Sequence, residues 1–178
     1  MEIETDRLRL RPFTPADRDA IHAIYADPEV MRHVGHGPHR TPADTDAALQ
    51  AFRRMLQSRG ISFLAVVERA TGRLIGDAGL YPVEGADGDV ELGYTLARAA
   101  WGRGYATEAA LALVEHARTA LAASRVVATV DPANAASKRV LEKVGMTADG
   151  ERIAYGRPHA VYAVELRPPA SPGSPPRA

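Results

Sequence analysis

The chain has 178 residues, 46% hydrophobic and 25% charged, enough for one domain around a single sizeable core. Its 22 basic and 22 acidic residues cancel, which argues against nucleic acid as a bulk electrostatic partner. It has no cysteine, so thiolate nucleophiles, disulfides and cysteine-type zinc sites are excluded together. Residues 1–6 hold no apolar signal core, and no run approaches the ~18 apolar residues of a membrane span. A cytoplasmic protein with no membrane partner is expected.

In chain order, residues 7–13 alternate Leu8 and Leu10 with Arg7, Arg9 and Arg11, a strand with one charged face that ends at Pro12. Thr14-Pro15-Ala16-Asp17 predicts a capped helix start with proline at its first position. That helix carries Ile21, Ile24 and Tyr25 on one stripe and stops before Pro28. Residues 34–42 predict a loop rich in Gly, His and Pro. His33, His36 and His39 are spaced by three, but two glycines and Pro38 argue against a helix that would align them on a metal. A solvated or substrate-lining loop is the expectation, with no metal. Thr41-Pro42-Ala43-Asp44 opens a second helix, with Ala48, Phe52, Met55 and Leu56 as its apolar stripe and Gly60 at its end.

Residues 61–67 are apolar and β-rich, a central strand, and residues 73–80 return from the turn at 69–72. In residues 90–97, Val90, Leu92, Tyr94 and Leu96 alternate with Glu91, Gly93, Thr95 and Ala97, giving one apolar and one mixed face. A helix over 107–122, a buried strand over 125–130 broken by Asp131-Pro132, and a helix from Asn134 or Ala135 to Gly145 follow. Residues 146–153 and 161–166 predict two last, paired strands. The order is βααβββαβαββ, a mixed α/β (α+β) domain over residues 1–166. The Pro-rich residues 167–178 are expected to be a disordered tail.

Between the strand at 90–97 and the next helix lies Trp101-Gly102-Arg103-Gly104-Tyr105-Ala106-Thr107. Small residues at a helix N-terminus let an anion approach unpaired backbone N–H groups, so this turn predicts a phosphate cradle. No G-x-x-x-x-G-K-[ST], G-x-S-x-G or H-E-x-x-H accompanies it, and the third glycine of a dinucleotide fingerprint is missing.

Trp101-Gly102-Arg103-Gly104-Tyr105-Ala106 resembles the acetyl-CoA signature [QR]-x-x-G-x-[GA] of the GNAT superfamily of N-acyltransferases. Asn134-x-x-Ser137-x-x-Val140-Leu141-Glu142-Lys143-x-Gly145-Met146 is similar to the motif that follows it there. The opening Thr5-Asp6-Arg7-Leu8-Arg9-Leu10-Arg11 and the run Glu91-Leu92-Gly93-Tyr94 resemble the branch containing ribosomal-protein alanine N-acetyltransferases. The likeness covers about residues 3–166. Trp101 stands where the signature has Gln or Arg. Leu141 stands where the family often has a tyrosine acid, and Met146 where it usually has Phe.

The resemblance implies acetyl transfer from acetyl-CoA to a primary amine by direct attack, with no metal. The acceptor would be a small molecule or a protein N-terminus, and the protein a monomer or homodimer. It places the CoA pyrophosphate on the N–H groups of Gly102, Arg103, Gly104, Tyr105, Ala106 and Thr107, and the pantetheine arm beside Tyr94 and Leu96. A bulge near Leu92-Gly93-Tyr94 would aim a backbone N–H at the developing oxyanion. Glu91 is the expected base, with Asp89 behind it, and Glu108 is assigned to the helix dipole. Ser137 is the expected acid and shares a helix face with Asn134, which meets CoA or caps the helix. Arg139, Arg103, Arg98 and Lys138 are candidates for the CoA phosphates. A CoA-binding sensor or scaffold without catalysis is the alternative.

Overall fold

The computed structural model describes residues 1–86 and 88–166; the predicted tail lies outside them. The strands are β1 (Ile3–Glu4), β2 (Leu8–Arg11), β3 (Phe63–Glu68), β4 (Arg73–Pro82), β5 (Asp89–Leu96), β6 (Arg125–Val130), β7 (Thr147–Ala154) and β8 (Arg157–Glu165). The helices are α1 (Arg18–Tyr25), α2 (Pro28–Met31), α3 (Pro42–Arg59), α4 (Tyr105–Thr119) and α5 (Ala135–Lys143). All eight strands form one sheet in the order β1-β2-β3-β4-β5-β6-β8-β7, antiparallel except for the β5–β6 pair. Helix α4 connects those two parallel strands, as a parallel pair requires.

Apolar alternation decides which face each helix covers. Leu8 and Leu10 of β2, Leu80 of β4 and Leu92 of β5 are buried with Leu113 of α4 and Leu141 of α5 in the larger core. Ile21, Ile24, Tyr25, Val30 and Met31 form a second cluster on α1 and α2, packed with Phe13, Val34 and Leu49. The sheet is therefore covered by α4 and α5 on one face and by α1–α3 on the other. Among the described residues no helix is long and apolar enough to cross a membrane.

Several boundaries differ from expectation. The Thr14 cap with Pro15 at the first helical position is as expected, but the first turn is 3-10, Pro15–Asp17, before α1 continues from Arg18; Asp17 closes a capping box on the Thr14 N–H at 2.7 Å and accepts the Arg11 guanidinium at 2.7 and 2.8 Å. Pro28 does not simply end structure: Asp27 accepts the Glu29 N–H and Pro28 opens the one-turn α2. The last hairpin is tighter than predicted. Ala154 pairs with Arg157, and Tyr155 and Gly156 turn between them at φ +52° and +76°. Positive φ at both central positions is the turn geometry that matches strand twist, but a tyrosine at the first hides the usual Asn-Gly signal.

Candidate active site

Strands β5 and β6 pair only from Asp89↔Arg125 to Glu91↔Val127, then part. The β4–β5 ladder continues without a shift from Pro82↔Val90 to Gly76↔Leu96, so the expected bulge at Leu92-Gly93-Tyr94 is absent. Gly93 has another reason: a Cβ there would sit 2.7 Å from the Phe63 ring. Val83 N–H to Asp89 C=O at 3.2 Å and Ala97 N–H to Ile75 C=O at 2.8 Å set the antiparallel alternation. Odd-numbered β5 residues thus bond to β4, and the Tyr94 backbone groups face the gap left by β6. The Leu96 carbonyl faces the same way but is occupied by the Trp101 indole N–H at 2.7 Å.

The glycine turn lies at the open end of that gap. Trp101, Gly102, Arg103 and Gly104 are exposed, and Gly102 and Gly104 sit at φ +71° and +79°. No side chain caps α4 at Gly104. Its backbone ladder starts with Glu108 N–H on Gly104 C=O, which leaves the first-turn N–H groups of Tyr105, Ala106 and Thr107 for an anion. A Cβ at Gly102 would meet nothing within 4 Å, so this side of the turn is open space.

The turn is braced from beneath. Arg7 donates to the Arg103 carbonyl at 2.9 Å and pairs with Glu108 at 2.6 Å, and the Thr5 hydroxyl donates to the same carboxylate at 2.6 Å. Burial raises the Glu108 carboxyl, but the Thr5 and Arg7 bonds outweigh it and hold the group below its ordinary value. Arg103 is turned to Glu68 at 3.0 Å, and the Arg7 and Arg103 guanidiniums lie 4.6 and 4.8 Å from the Tyr105 ring centroid. The Tyr105 hydroxyl donates to Glu68, which holds that carboxyl low. Arg103 thus braces the loop from the Glu68 side, and Lys138 is bonded to the Pro132 carbonyl at 2.6 Å. Arg98 and Arg139 are exposed.

A pocket of about 130 Å³ opens where β5 and β6 part; Glu91, Tyr94, Ser137, His33, Asp131 and Tyr155 are among its walls. Asn134 caps α5, accepting the Ser137 N–H at 3.0 Å. The Ser137 and Tyr94 hydroxyls share a hydrogen bond of 2.7 Å. Burial pushes the Tyr94 phenol up to about 12, against the opposing Ser137 bond. Ser137 and Leu141 are four apart on α5 and both line the pocket, so Tyr94 brings from β5 a phenol to the helix face where Leu141 has none. The alternation of β5 pointed Tyr94 to the apolar face, and nothing in it signalled that the hydroxyl would reach α5.

Glu91 is 4% exposed and ion-paired with Arg152 of β7, with the Tyr81 phenol also bonded to it. The three spaced histidines go separate ways. His33 bonds Asp131 at 2.9 Å, His36 packs edge-on against Tyr155 at 5.2 Å, and His39 bonds the Thr45 hydroxyl at 2.9 Å. Asp131 also receives the Arg157 guanidinium at 2.8 Å. Arg152 and Arg157 arrive on the last hairpin, expected as a strand pair but without its tight turn, and no sequence signal marks them as site residues.

The acetyltransferase (GNAT) domain family matches residues 7–147, and the chain belongs to that family. It is 31% identical over 163 residues to the uncharacterized protein YkkB of Bacillus subtilis, covering 90% of this chain and 94% of that one. To the uncharacterized N-acetyltransferase YoaA of the same organism it is 34% identical over 149 residues, 83% of this chain and 84% of the relative. An acetyltransferase structure from Agrobacterium tumefaciens superposes with a TM-score of 0.81 at 31% identity, covering 93% and 95% of the two chains. RimL, a ribosomal-protein alpha-N-acetyltransferase solved in complex with coenzyme A, shares the fold with a TM-score of 0.79 at 18% identity over 93% and 98%.

Proposed function

We propose that the protein transfers an acetyl group from acetyl-CoA to a primary amine, a small molecule or a protein N-terminus, by direct attack. One juxtaposition carries the reading: an uncapped, glycine-opened start of α4 lies at the end of a strand edge whose Tyr94 backbone groups have lost their sheet partner. The first feature suits the diphosphate of CoA, the second a pantetheine amide that adds to the strand edge. Bound acetyl-CoA supplies the thioester carbonyl that the amine attacks, so that a C–N bond forms, the C–S bond breaks and CoA thiolate leaves.

The chain's own groups divide the remaining work. Gly102 to Thr107 and Asn134 hold the donor, and the Tyr94 N–H polarises the carbonyl. Glu91 serves the acceptor as the carboxylate that receives its ammonium and takes a proton, directly or through water. Ser137 and Tyr94 serve the leaving thiolate; a free thiol has a pKa of about 8.5, so proton donation there assists departure without being obligatory. A sensor without catalysis is the second reading, supported by Leu141 at the place of the family's tyrosine.

The test is thiol release from acetyl-CoA across a panel of amines, read with a thiol reagent. The absence of cysteine removes any background from the protein. Release with particular amines supports the enzyme and identifies the acceptor class. CoA binding without release across the panel supports the sensor. Trp101, the only tryptophan, lies on the phosphate turn and reports binding by its fluorescence.

A further inference from the structure

We propose that His33, oriented by Asp131, is a second proton acceptor in this site and takes the first of the two protons an acceptor ammonium must lose. The inference rests on the acetyltransferase reading and adds a group to it. Glu91 is committed: it is buried, paired with Arg152 and bonded by Tyr81.

The geometry of a working imidazole is present. His33 lines the same pocket as Glu91, Tyr94 and Ser137. Its Nδ1 lies 2.9 Å from Asp131 Oδ2, although the two residues are 98 apart in the chain. A carboxylate on Nδ1 fixes the tautomer that carries its proton there and leaves the Nε2 lone pair on the opposite edge of the ring. Asp131 is itself held in place. The Ala133 N–H donates to its Oδ1 at 2.8 Å, and the Arg157 guanidinium forms an ion pair with its Oδ2 at 2.8 Å. Burial raises the Asp131 carboxyl, but the bonds from His33 and Ala133 and the Arg157 charge outweigh it, so it stays ionised. The other charged or titratable groups at this pocket are Glu91 with Arg152, the phenols of Tyr81 and Tyr94, and Tyr155 and His159 of the last hairpin; His36 packs on Tyr155.

The protons balance. The ammonium N–H bond breaks, its proton goes to Nε2 and the nitrogen lone pair is freed for attack; the imidazolium then releases that proton to solvent. The second amine proton leaves as the C–N bond forms and ends on the CoA thiol. In this division His33 takes the first proton, Glu91 receives the second as the C–N bond forms and passes it on toward the thiolate, and Asp131 is a positioning residue.

Five proteins decide it, each assayed for kcat with an amine acetylated by the wild type and for CoA affinity by Trp101 fluorescence. His33→Gln should lower kcat about 100-fold with CoA affinity unchanged, the low end for loss of a general base. Added imidazole should restore part of the activity of His33→Ala. Asp131→Asn should lower kcat and move the acid limb of its pH profile to lower pH, while Asp131→Glu keeps most of the rate. A His33→Gln kcat within twofold of wild type from pH 6 to 9 overturns the dyad and leaves the acetyltransferase standing. A wild type that binds CoA and acetylates no amine overturns both.

Discussion

Asp77 of β4 should act as a pH-dependent weakness in the fold, and Asp77→Asn should remove it. The side chain is 2% exposed, accepts the Tyr25 hydroxyl of α1 and is bonded by the Thr95 backbone N–H. Burial raises its carboxyl from 3.8 to about 7, against the opposing Tyr25 and Thr95 bonds. A group raised in the folded state contributes stability that is complete below its unfolded value and is lost as pH rises through the folded one. At about 1.4 kcal/mol per unit, the interval from 3.8 to about 7 amounts to a loss on the order of 4 kcal/mol above pH 7. An amide at the same place keeps both partners without ionising, its oxygen accepting the Thr95 N–H and its NH2 able to donate to the Tyr25 oxygen. The stability gain of Asp77→Asn over wild type should therefore grow by about 3 kcal/mol between pH 5 and pH 8. Urea unfolding of both proteins at four pH values measures it. The difference between the two is the quantity to read, because His39, whose ring packs edge-on to Tyr25 at 4.8 Å, is itself lowered by burial and adds its own slope to each curve. A gain constant to within about 0.5 kcal/mol across the window would refute the reasoning, showing Asp77 ionised in the fold with its two bonds outweighing desolvation.

Gly104→Val places a branched side chain at φ +79°, a conformation costing a non-glycine residue about 1–2 kcal/mol, with its Cβ 3.4 Å from Arg7 Nη2. CoA affinity by Trp101 fluorescence should fall at least tenfold; an unchanged affinity would remove the phosphate from this turn. Tyr94→Phe breaks the hydroxyl pair with Ser137 and should lower kcat about tenfold with CoA affinity within twofold, whereas a normal rate would take the phenol out of proton delivery. Tyr155→Asn relieves a tyrosine at φ +52° and should raise Tm by about 2–4 °C while raising the amine KM, because the ring packed on His36 and His159 is lost. A lower Tm would show that ring packing outweighs the strain of the turn.

The local geometry of the proposed donor half is legible in the sequence, and for a physical reason. A phosphate cradle needs consecutive backbone N–H groups, so its small residues must be adjacent in the chain, and Gly102, Gly104 and the start of α4 are. The cap at Asn134 and the stops at Gly60 and Gly145, both at positive φ, are equally local. The proposed bulge was a local device invoked for a long-range effect; the opening comes instead from β6 leaving β5 after Glu91. Arg103 was read as a phosphate ligand because its neighbours form the turn, but Glu68, 35 residues away, claims its guanidinium. Tyr94 is expected from the sequence beside the pantetheine but not for its phenol, and His33 and Asp131 are visible there only as a loop histidine and a strand breaker.

Of the proposed acceptor half the sequence offers only Glu91, because nothing there requires neighbours in sequence. Glu91 meets Arg152 across 61 residues and His33 meets Asp131 across 98. Strand β5 is the wall shared by both halves, and its alternation sorts them. Glu91 and Gly93 face Phe63 and Tyr81 on the side of α1–α3, whereas Tyr94 reaches α5 on the donor side. The two faces join in one pocket because β6 departs, so the gap proposed for the donor is also lined by the Glu91 carboxylate. Acceptor choice should accordingly move with substitutions at the β7–β8 hairpin and the loop carrying His33 and His36, while CoA affinity stays fixed. Exchanging Arg152 and Arg157 for alanine together tests this. The pattern of accepted amines should change and Trp101-detected CoA binding should not. Equal losses in both would mean that the hairpin supports the whole site and the two halves are not separable.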